Sequence, residues 1–287
     1  MSNSRLFPLH IALASRFPQL GDAWRMRIRR AAGSGEPDMR NDPAEQVYAA
    51  LYLDCIEQAL PAATGLRILD VGCQAGRLAI PLARAGHHVT GFDISADWLD
   101  RCRHNAAGAG VLIDFVQGSI TDLDEHFAAA SFDAVICAEV LYTLRDCTAA
   151  LRSLARSMRP GATLFASHRT RHYLLSTLAR FRQWDDLDTV LRCDEGEILG
   201  GQYYSWFDSD ALEARYVAAG LQVEQMQGVG VVSGMGADGM AAVLDAGSLD
   251  AADLSRLLAL ERACTVRYPD VARYRLIVAK LTPGSHL

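Results

Sequence analysis

Leu66-Arg67-Ile68-Leu69-Asp70-Val71-Gly72-Cys73-Gln74-Ala75-Gly76-Arg77-Leu78 is the stretch that decides the fold. A short apolar run ends in an acid, two glycines follow, and Leu78, Leu82 and Ala85 then recur at helical spacing until Gly86 closes the element. That is a strand, a tight bend and a helix. The pattern repeats downstream: His88 to Asp93 reads as a second strand, leading through Ser95, a helix N-cap, into a helix with Trp98, Leu99 and Cys102. Strands follow at Leu112 to Val116, Phe132 to Cys137 and Ala162 to Ser167, with a helix from Ala149 to Met158 before the last. Strands alternating with amphipathic helices pair in parallel through right-handed crossovers, so the expected class is α/β, a doubly wound sheet with helices on both faces.

Working outward, the rhythm breaks after the fifth strand. Residues Arg169 to Phe207 read as inserted helix and loop, and Asp208 to Ala219 as another covering helix. Leu221 to Val232 and Tyr274 to Leu281 read as two final strands, with a helix over Leu249 to Val266 between them, making seven strands, mostly parallel. Towards the N-terminus, Val47, Leu51, Leu53, Cys55, Ile56 and Leu60 carry a helical period, and the turn-rich Gly33-Ser34-Gly35-Glu36-Pro37 divides the helices. The expected organisation is an N-terminal helical cap over residues 1–64 and one domain over 65–287, its insert at about 169–207 serving as a substrate lid.

Composition narrows the function. Of 287 residues 50% are hydrophobic, yet no apolar run reaches the roughly 20 residues needed to span a bilayer. The N-terminal MSNSRLFPLH lacks the build of a secretory signal, so a soluble cytoplasmic protein without membrane partners is expected. Seven scattered cysteines with no C-x-x-C pair indicate neither a disulfide framework nor a zinc site; they read as buried small hydrophobes, and no metal is expected. The 28 basic residues, of which only Lys280 is lysine, are interspersed among 34 acids. Their densest cluster, Arg25, Arg27, Arg29 and Arg30, reads as a solvated helix face, so no nucleic-acid partner is expected.

Ligands of doubly wound sheets bind beyond the carboxyl ends of the strands, which makes Asp70 to Gly76 the cofactor corner. A dinucleotide fingerprint would require G-x-G-x-x-G, but Gln74 and Arg77 stand at the second and third glycine positions. Asp70 would also repel a diphosphate. A cofactor with a cationic head suits the corner better.

At these residues the chain resembles the class I S-adenosylmethionine-dependent methyltransferases. Arg67 to Leu78 looks like their first motif and Val89-Thr90-Gly91-Phe92-Asp93-Ile94-Ser95 like their second-strand acid loop. Phe115-Val116-Gln117-Gly118-Ser119-Ile120 and the run from Phe132 to Tyr142 match the next two in order and spacing. The resemblance covers roughly Gly65 to Ser167 and implies a Rossmann-like fold with S-adenosyl-L-methionine as cofactor. It further implies that Gly72 and Gly76 let the backbone approach the methionine moiety, that Asp70 faces the ammonium and sulfonium, and that Asp93 takes the ribose hydroxyls. Ile94 would pack on the adenine, backbone groups of Ser119 and Ile120 would read its edge, and Cys137 is counted among the cofactor-binding candidates. Gln74 departs from the family's middle glycine and Ser119 from a common aspartate, and both changes weaken affinity if they matter.

For the acceptor end, Glu139 and Tyr142 follow the fourth strand, His168 ends the fifth, and His172 lies one turn later; these four are the catalytic candidates, with His168 the candidate general base for a hydroxyl acceptor. The aromatic concentration in the insert offers Tyr203, Tyr204 and Trp206 as a substrate wall, with Tyr48 and Tyr52 of the cap closing the other side. The expected activity is methyl transfer to O or N of a small organic acceptor. Cys137-Ala138-Glu139-Val140 lacks the Asn/Asp-Pro-Pro-aromatic run expected of enzymes that methylate nucleic-acid amines. The competing expectation is a domain that binds the cofactor without transferring methyl, as a regulator or a catalyst of another rearrangement. The sequence leaves room for a homodimer.

Overall fold

The computed structural model describes residues 43–282, apart from 236, 237, 239, 241–243 and 245. The cluster Arg25 to Arg30 and the first 42 residues of the expected cap lie outside the described residues. The chain runs α1 (Pro43–Ala59), β1 (Arg67–Val71), α2 (Ala79–Arg84), β2 (His88–Asp93), α3 (Ala96–Ala109), β3 (Asp114–Gln117), the single turn α4 (Leu123–His126), β4 (Phe132–Cys137), α5 (Cys147–Ser157) and β5 (Met158–Arg169). It continues through α6 (Arg171–Arg180), α7 (Trp184–Arg192), β6 (Glu195–Ile198), β7 (Gln202–Ser205), α8 (Ser209–Ala218), β8 (Leu221–Val229), α9 (Ala251–Cys264) and β9 (Tyr274–Leu281).

Seven strands form one sheet in the order β3-β2-β1-β4-β5-β9-β8. Pairing is parallel from β3 to β5, while β9 runs antiparallel to both β5 and β8. The chain therefore leaves β1 in opposite directions, to β2 and to β4, and the carboxyl ends of β1, β2 and β4 meet at the reversal point where a doubly wound sheet opens a crevice.

The two faces carry separate apolar layers. Alternation along β5 shows the division: Leu164 and Ala166 pack with Leu151 and Leu154 of α5 and Leu212 and Tyr216 of α8, whereas Phe165 packs with Tyr48, Leu51 and Ile56 of α1, Leu82 of α2 and Leu257 of α9. The N-terminal helix is thus a layer of the core rather than an appendage, with Tyr48 and Tyr52 completely buried. Leu78 and Leu82 are buried as their spacing predicts, but Ala85 is exposed, because the helix turns out at the left-handed Gly86. Ser95 caps α3, its hydroxyl accepting from the Trp98 backbone N–H.

The segment expected as helix and loop contains helices α6 and α7 and also a two-stranded antiparallel hairpin, β6–β7. The turn joining those strands, Leu199-Gly200-Gly201, has positive φ at all three residues. This insert has its own small core of Tyr173, Leu178, Val190, Ile198 and Trp206. The eighth strand stops at Val229 rather than Val232, because Gly230 is left-handed and a Cβ there would lie 1.9 Å from the Tyr48 hydroxyl. Just beyond, fully buried Glu261 of α9 accepts hydrogen bonds from the backbone N–H groups of Val231, Val232 and Ser233 at 2.7, 3.0 and 2.8 Å. Cys193 is exposed and Cys264 half-buried, so two of the seven thiols are not the core residues expected; none forms a disulfide.

Candidate active site

The β1 exit is built by backbone pairing to its neighbour: Gly72 N–H donates to the Phe92 carbonyl at 2.7 Å, which draws the first loop against the end of β2. Gly72 has φ +79, and a Cβ there would meet Val140 at 2.4 Å, so a side chain would push the loop off the β4 exit. Asp93 is buried, and its two oxygens are held by the Gln74 N–H at 3.0 Å and the Ser95 N–H at 2.9 Å. Each oxygen keeps lone-pair capacity for a further donor. Gln74, at the family's usual glycine, adopts φ 44 and thereby turns its N–H onto Asp93. Next to this carboxylate, Ile94 is 70% exposed, a large apolar side chain left uncovered beside a buried acid.

Asp70 is 3% exposed. Burial pushes its carboxyl up to about 7, with Arg77 and a hydrogen bond from the Ala79 backbone working against that rise and Asp93 adding to it. A buried carboxyl short of positive charge fits a ligand that brings its own cation. Asp70, Gly72, Gln74, Arg77 and Glu139 line one cavity. An adenosine bearing a cationic amino-acid tail therefore fits the residues present: a ribose acceptor, an apolar surface and an undercompensated acid stand in series.

Glu139 forms the hinge between this corner and the rest of the cleft. It too is left-handed, φ 64, with its N–H donating to the Ser167 hydroxyl at 2.8 Å. Its carboxylate pairs with Arg77 and accepts from the Tyr274 hydroxyl at 2.6 Å, while Arg77 also reaches Glu45 of α1 at 2.8 Å. Burial opposes its charge, but Arg77, the Tyr274 hydrogen bond, Arg169 and Arg273 outweigh burial and hold Glu139 below the ordinary carboxyl range. Around it Tyr142 stacks on Tyr204, with centroids 5.9 Å apart, and lies 6.1 Å from Tyr274. Tyr52 donates to the Ser167 hydroxyl at 3.0 Å from the α1 side.

The structure does not bring every sequence-selected residue here. His168 points to the opposite face of the sheet, fully buried, its Nε2 3.0 Å from the Tyr216 hydroxyl of α8. Burial, then Arg275 and Arg215, lower its pKa to about 3. His172 is exposed and lines a separate groove with Phe207, Asp208 and Arg275. Trp206 lies in the insert's core, its indole N–H bonded to the Cys193 carbonyl, and Tyr203 lies towards the rim against Glu195 and Arg145. Of the three aromatic candidates only Tyr204 reaches the Tyr142–Tyr274 group. Cys137 is fully buried in the core beneath the β4 exit. Ser119 uses its hydroxyl to cap the turn that follows, and its carbonyl accepts from the Asp122 N–H at 2.9 Å. Arg77, Glu45, Ser167, Arg169 and Tyr274 were not singled out in the sequence as site residues. Arg77 sits in the first motif, and Ser167 and Arg169 flank His168, so these could have been noticed; Glu45 and Tyr274 lie too far along the chain for spacing to connect them.

The methyltransferase domain family profile matches residues 69–166. A ubiquinone biosynthesis O-methyltransferase of Xanthomonas axonopodis pv. citri is 32% identical over 223 residues, covering 77% of this chain and 84% of its own. A protein of the same description from Erwinia tasmaniensis is 31% identical, covering 58% of this chain and 70% of its own. The chain belongs to the class I S-adenosylmethionine-dependent methyltransferases. Its cofactor is S-adenosylmethionine, and its sheet is the Rossmann-like one of that family. Solved structures share the fold: an S-adenosylmethionine-dependent methyltransferase from Methanosarcina mazei has TM-score 0.57 at 16% identity, over 79% of this chain and 97% of that one. Magnesium protoporphyrin IX methyltransferase from Synechocystis PCC 6803, with bound SAH, has TM-score 0.55 at 17% identity, over 94% and 99%. Because a [4+2]-cyclase shares the fold equally well, at TM-score 0.55, the sequence relatives rather than the fold place this methyltransferase among transferases. Among its described residues no helix is long and apolar enough to cross a membrane.

Proposed function

We propose that this methyltransferase transfers the methyl group to an oxygen of a small organic acceptor held against Glu139, Tyr142, Tyr204 and Tyr274. The observation that carries the reading is Glu139 itself, a largely but not fully buried carboxylate at the β4 exit that shares one cavity with Asp70 and Gly72 and is bonded to Tyr274 on the other side. It joins the corner suited to the donor to an aromatic wall suited to a planar acceptor. The O-methyltransferase description of the sequence relatives supports oxygen over nitrogen. An overall acidic chain, net charge -6, supports a small molecule over a nucleic acid, and unpaired thiols fit a reducing, cytoplasmic setting.

In this reading Asp93 takes the ribose hydroxyls, Ile94 covers the adenine, the Ser119 and Ile120 backbone reads its edge, and Asp70 faces the positive tail that passes Gly72, Gln74 and Gly76. The donor's sulfonium supplies an activated methyl carbon. The protein's own work is alignment and exclusion of water, tasks suited to a rigid buried cluster rather than a mobile base. Glu139 and Tyr274 stand where an acceptor proton can be passed on, and Tyr142 orients the acceptor ring; His168, on the far face, serves the core.

The test is transfer of label from methyl-labelled donor to matched phenols and amines. Label on phenols alone is the expected result. Label on amines alone would remove the oxygen assignment, and donor binding without any transfer would remove the reading.

A further inference from the structure

Three arginines lie around the acceptor wall, and they are not equivalent. Arg77 packs over the Tyr52 ring, 5.4 Å from its centroid, and pairs with Glu45 and Glu139. Arg273 lies near the rings of Tyr48, Tyr173 and Tyr274 and pairs with Asp238. Arg169, the last residue of β5, lies among the rings of Tyr142, Tyr173 and Tyr274 at 4.9, 4.5 and 4.3 Å. It has no carboxylate within ion-pair distance among the described residues, and its Nη1 is buried with no hydrogen-bond partner.

A buried guanidinium nitrogen left without an acceptor is costly and calls for an explanation. The Nε atoms of Arg273 and Arg275 are buried without partners too, but each of those guanidiniums has a carboxylate, Asp238 or Asp270, and Arg169 has none among the described residues. The rings crowd the guanidinium, and what Nη1 lacks is an acceptor oxygen, for which an anionic one is the strongest partner. Strand alternation places Arg169 on the same face of β5 as Ser167, which binds the Glu139 N–H, and two of its three rings belong to the acceptor wall. Its charge therefore serves the cleft and not the far core where His168 lies.

We infer that the methyl acceptor carries a carboxylate and that Arg169 receives it, making Arg169 the residue that selects anionic acceptors over neutral ones. This rests on the acceptor placement proposed above. The carboxylate anchors one end of a planar acceptor at the β5 exit, with Tyr142 and Tyr204 alongside and the reacting oxygen towards Glu139.

Benzoate and benzamide, nearly equal in shape and different in charge, are the probes, titrated by calorimetry into the full chain saturated with S-adenosylhomocysteine. Wild type should bind benzoate at least about 10-fold more tightly than benzamide, the margin expected of a charge-assisted hydrogen-bond pair. Arg169→Gln should abolish that preference, and Arg169→Lys should keep part of it, both with unchanged affinity for S-adenosylhomocysteine. Equal affinity of wild type for the two probes, no binding of either, or a preference that survives Arg169→Gln would each overturn the assignment. The wild-type comparison stands even if a variant fails to fold. A benzoate preference lost in Arg169→Gln, in a protein that moves label to no acceptor, would uphold the anion site while removing the transfer reading.

Discussion

The two ends of the cleft are assembled in different ways. The proposed donor corner is made from consecutive strand tips, with Asp70, Gly72, Gln74 and Asp93 all within one βαβ unit and tied by short backbone bonds such as Gln74 N–H to Asp93. The acceptor wall is gathered from Glu45, Arg77, Glu139, Arg169 and Tyr274, residues drawn from α1 to the last strand. The donor corner leaves an acid undercompensated, whereas the acceptor wall over-supplies its acid with partners. Local segments here present chemistry to a ligand, and distant ones largely satisfy each other, with the Arg169 guanidinium the member left without a carboxylate among the described residues.

The severest way to break the contrast is Arg77→Leu, which strands Glu45 and Glu139 together. Loss of one partner from a largely buried pair should lower folding stability by about 3 kcal/mol, read from denaturant unfolding. An unchanged midpoint would mean the wall is not held by charge. Next is Asp93→Ala on the other side: donor affinity should fall by about 1–3 kcal/mol in calorimetry while unfolding stability moves far less. A comparable loss of stability would make Asp93 a structural cap and nothing more.

A third comparison uses pH, where the two acids should behave oppositely. Asp70 is raised from 3.8 to about 7, so the stability it contributes is complete below pH 3.8 and is lost as pH climbs through about 7. Glu139 is held low, so its contribution is present above the ordinary carboxyl range and is lost on acidification. In thermal melts of the ligand-free protein, Asp70→Asn should flatten the fall in stability between about pH 4 and pH 7, and Glu139→Gln the loss on acidification below the ordinary carboxyl range. Affinity for the cationic donor should in turn rise up to about tenfold between pH 6 and 8 as Asp70 ionises, and Asp70→Asn should remove that slope. The smallest effect is expected at His168. His168→Phe should leave turnover within about twofold of wild type and cost about 1 kcal/mol of stability for the stranded Tyr216 hydroxyl. A hundredfold loss of turnover at unchanged stability would return His168 to the chemistry.

The same contrast explains what was legible in the sequence. Hydrophobic period, the Gly72 bend and the acids at successive strand ends are short-range signals, and they led directly to the sheet and to the donor corner. The acceptor wall has no such signal, because Arg169 and Tyr274 become neighbours only through the antiparallel β5–β9 register. His168 and Arg169 differ by one position in sequence and by a whole sheet in space, since strand alternation sends them to opposite faces. The β6–β7 hairpin escaped because four-residue strands carrying Glu195 and Glu197 show little apolar alternation; Gly200-Gly201 was the one available hint. Trp206 misled for a related reason: aromatic composition does not distinguish a pocket wall from the core of an insert.

The antiparallel last strand has a consequence for how the enzyme comes into being. Every proposed donor contact is encoded before residue 121, but Tyr274, whose hydroxyl donates to Glu139, belongs to β9. On the proposed reading the donor's contacts draw nothing from β9, whereas the acceptor's do. Docking of β9 onto β5 is therefore the step that would turn a cofactor-binding sheet into a transferase.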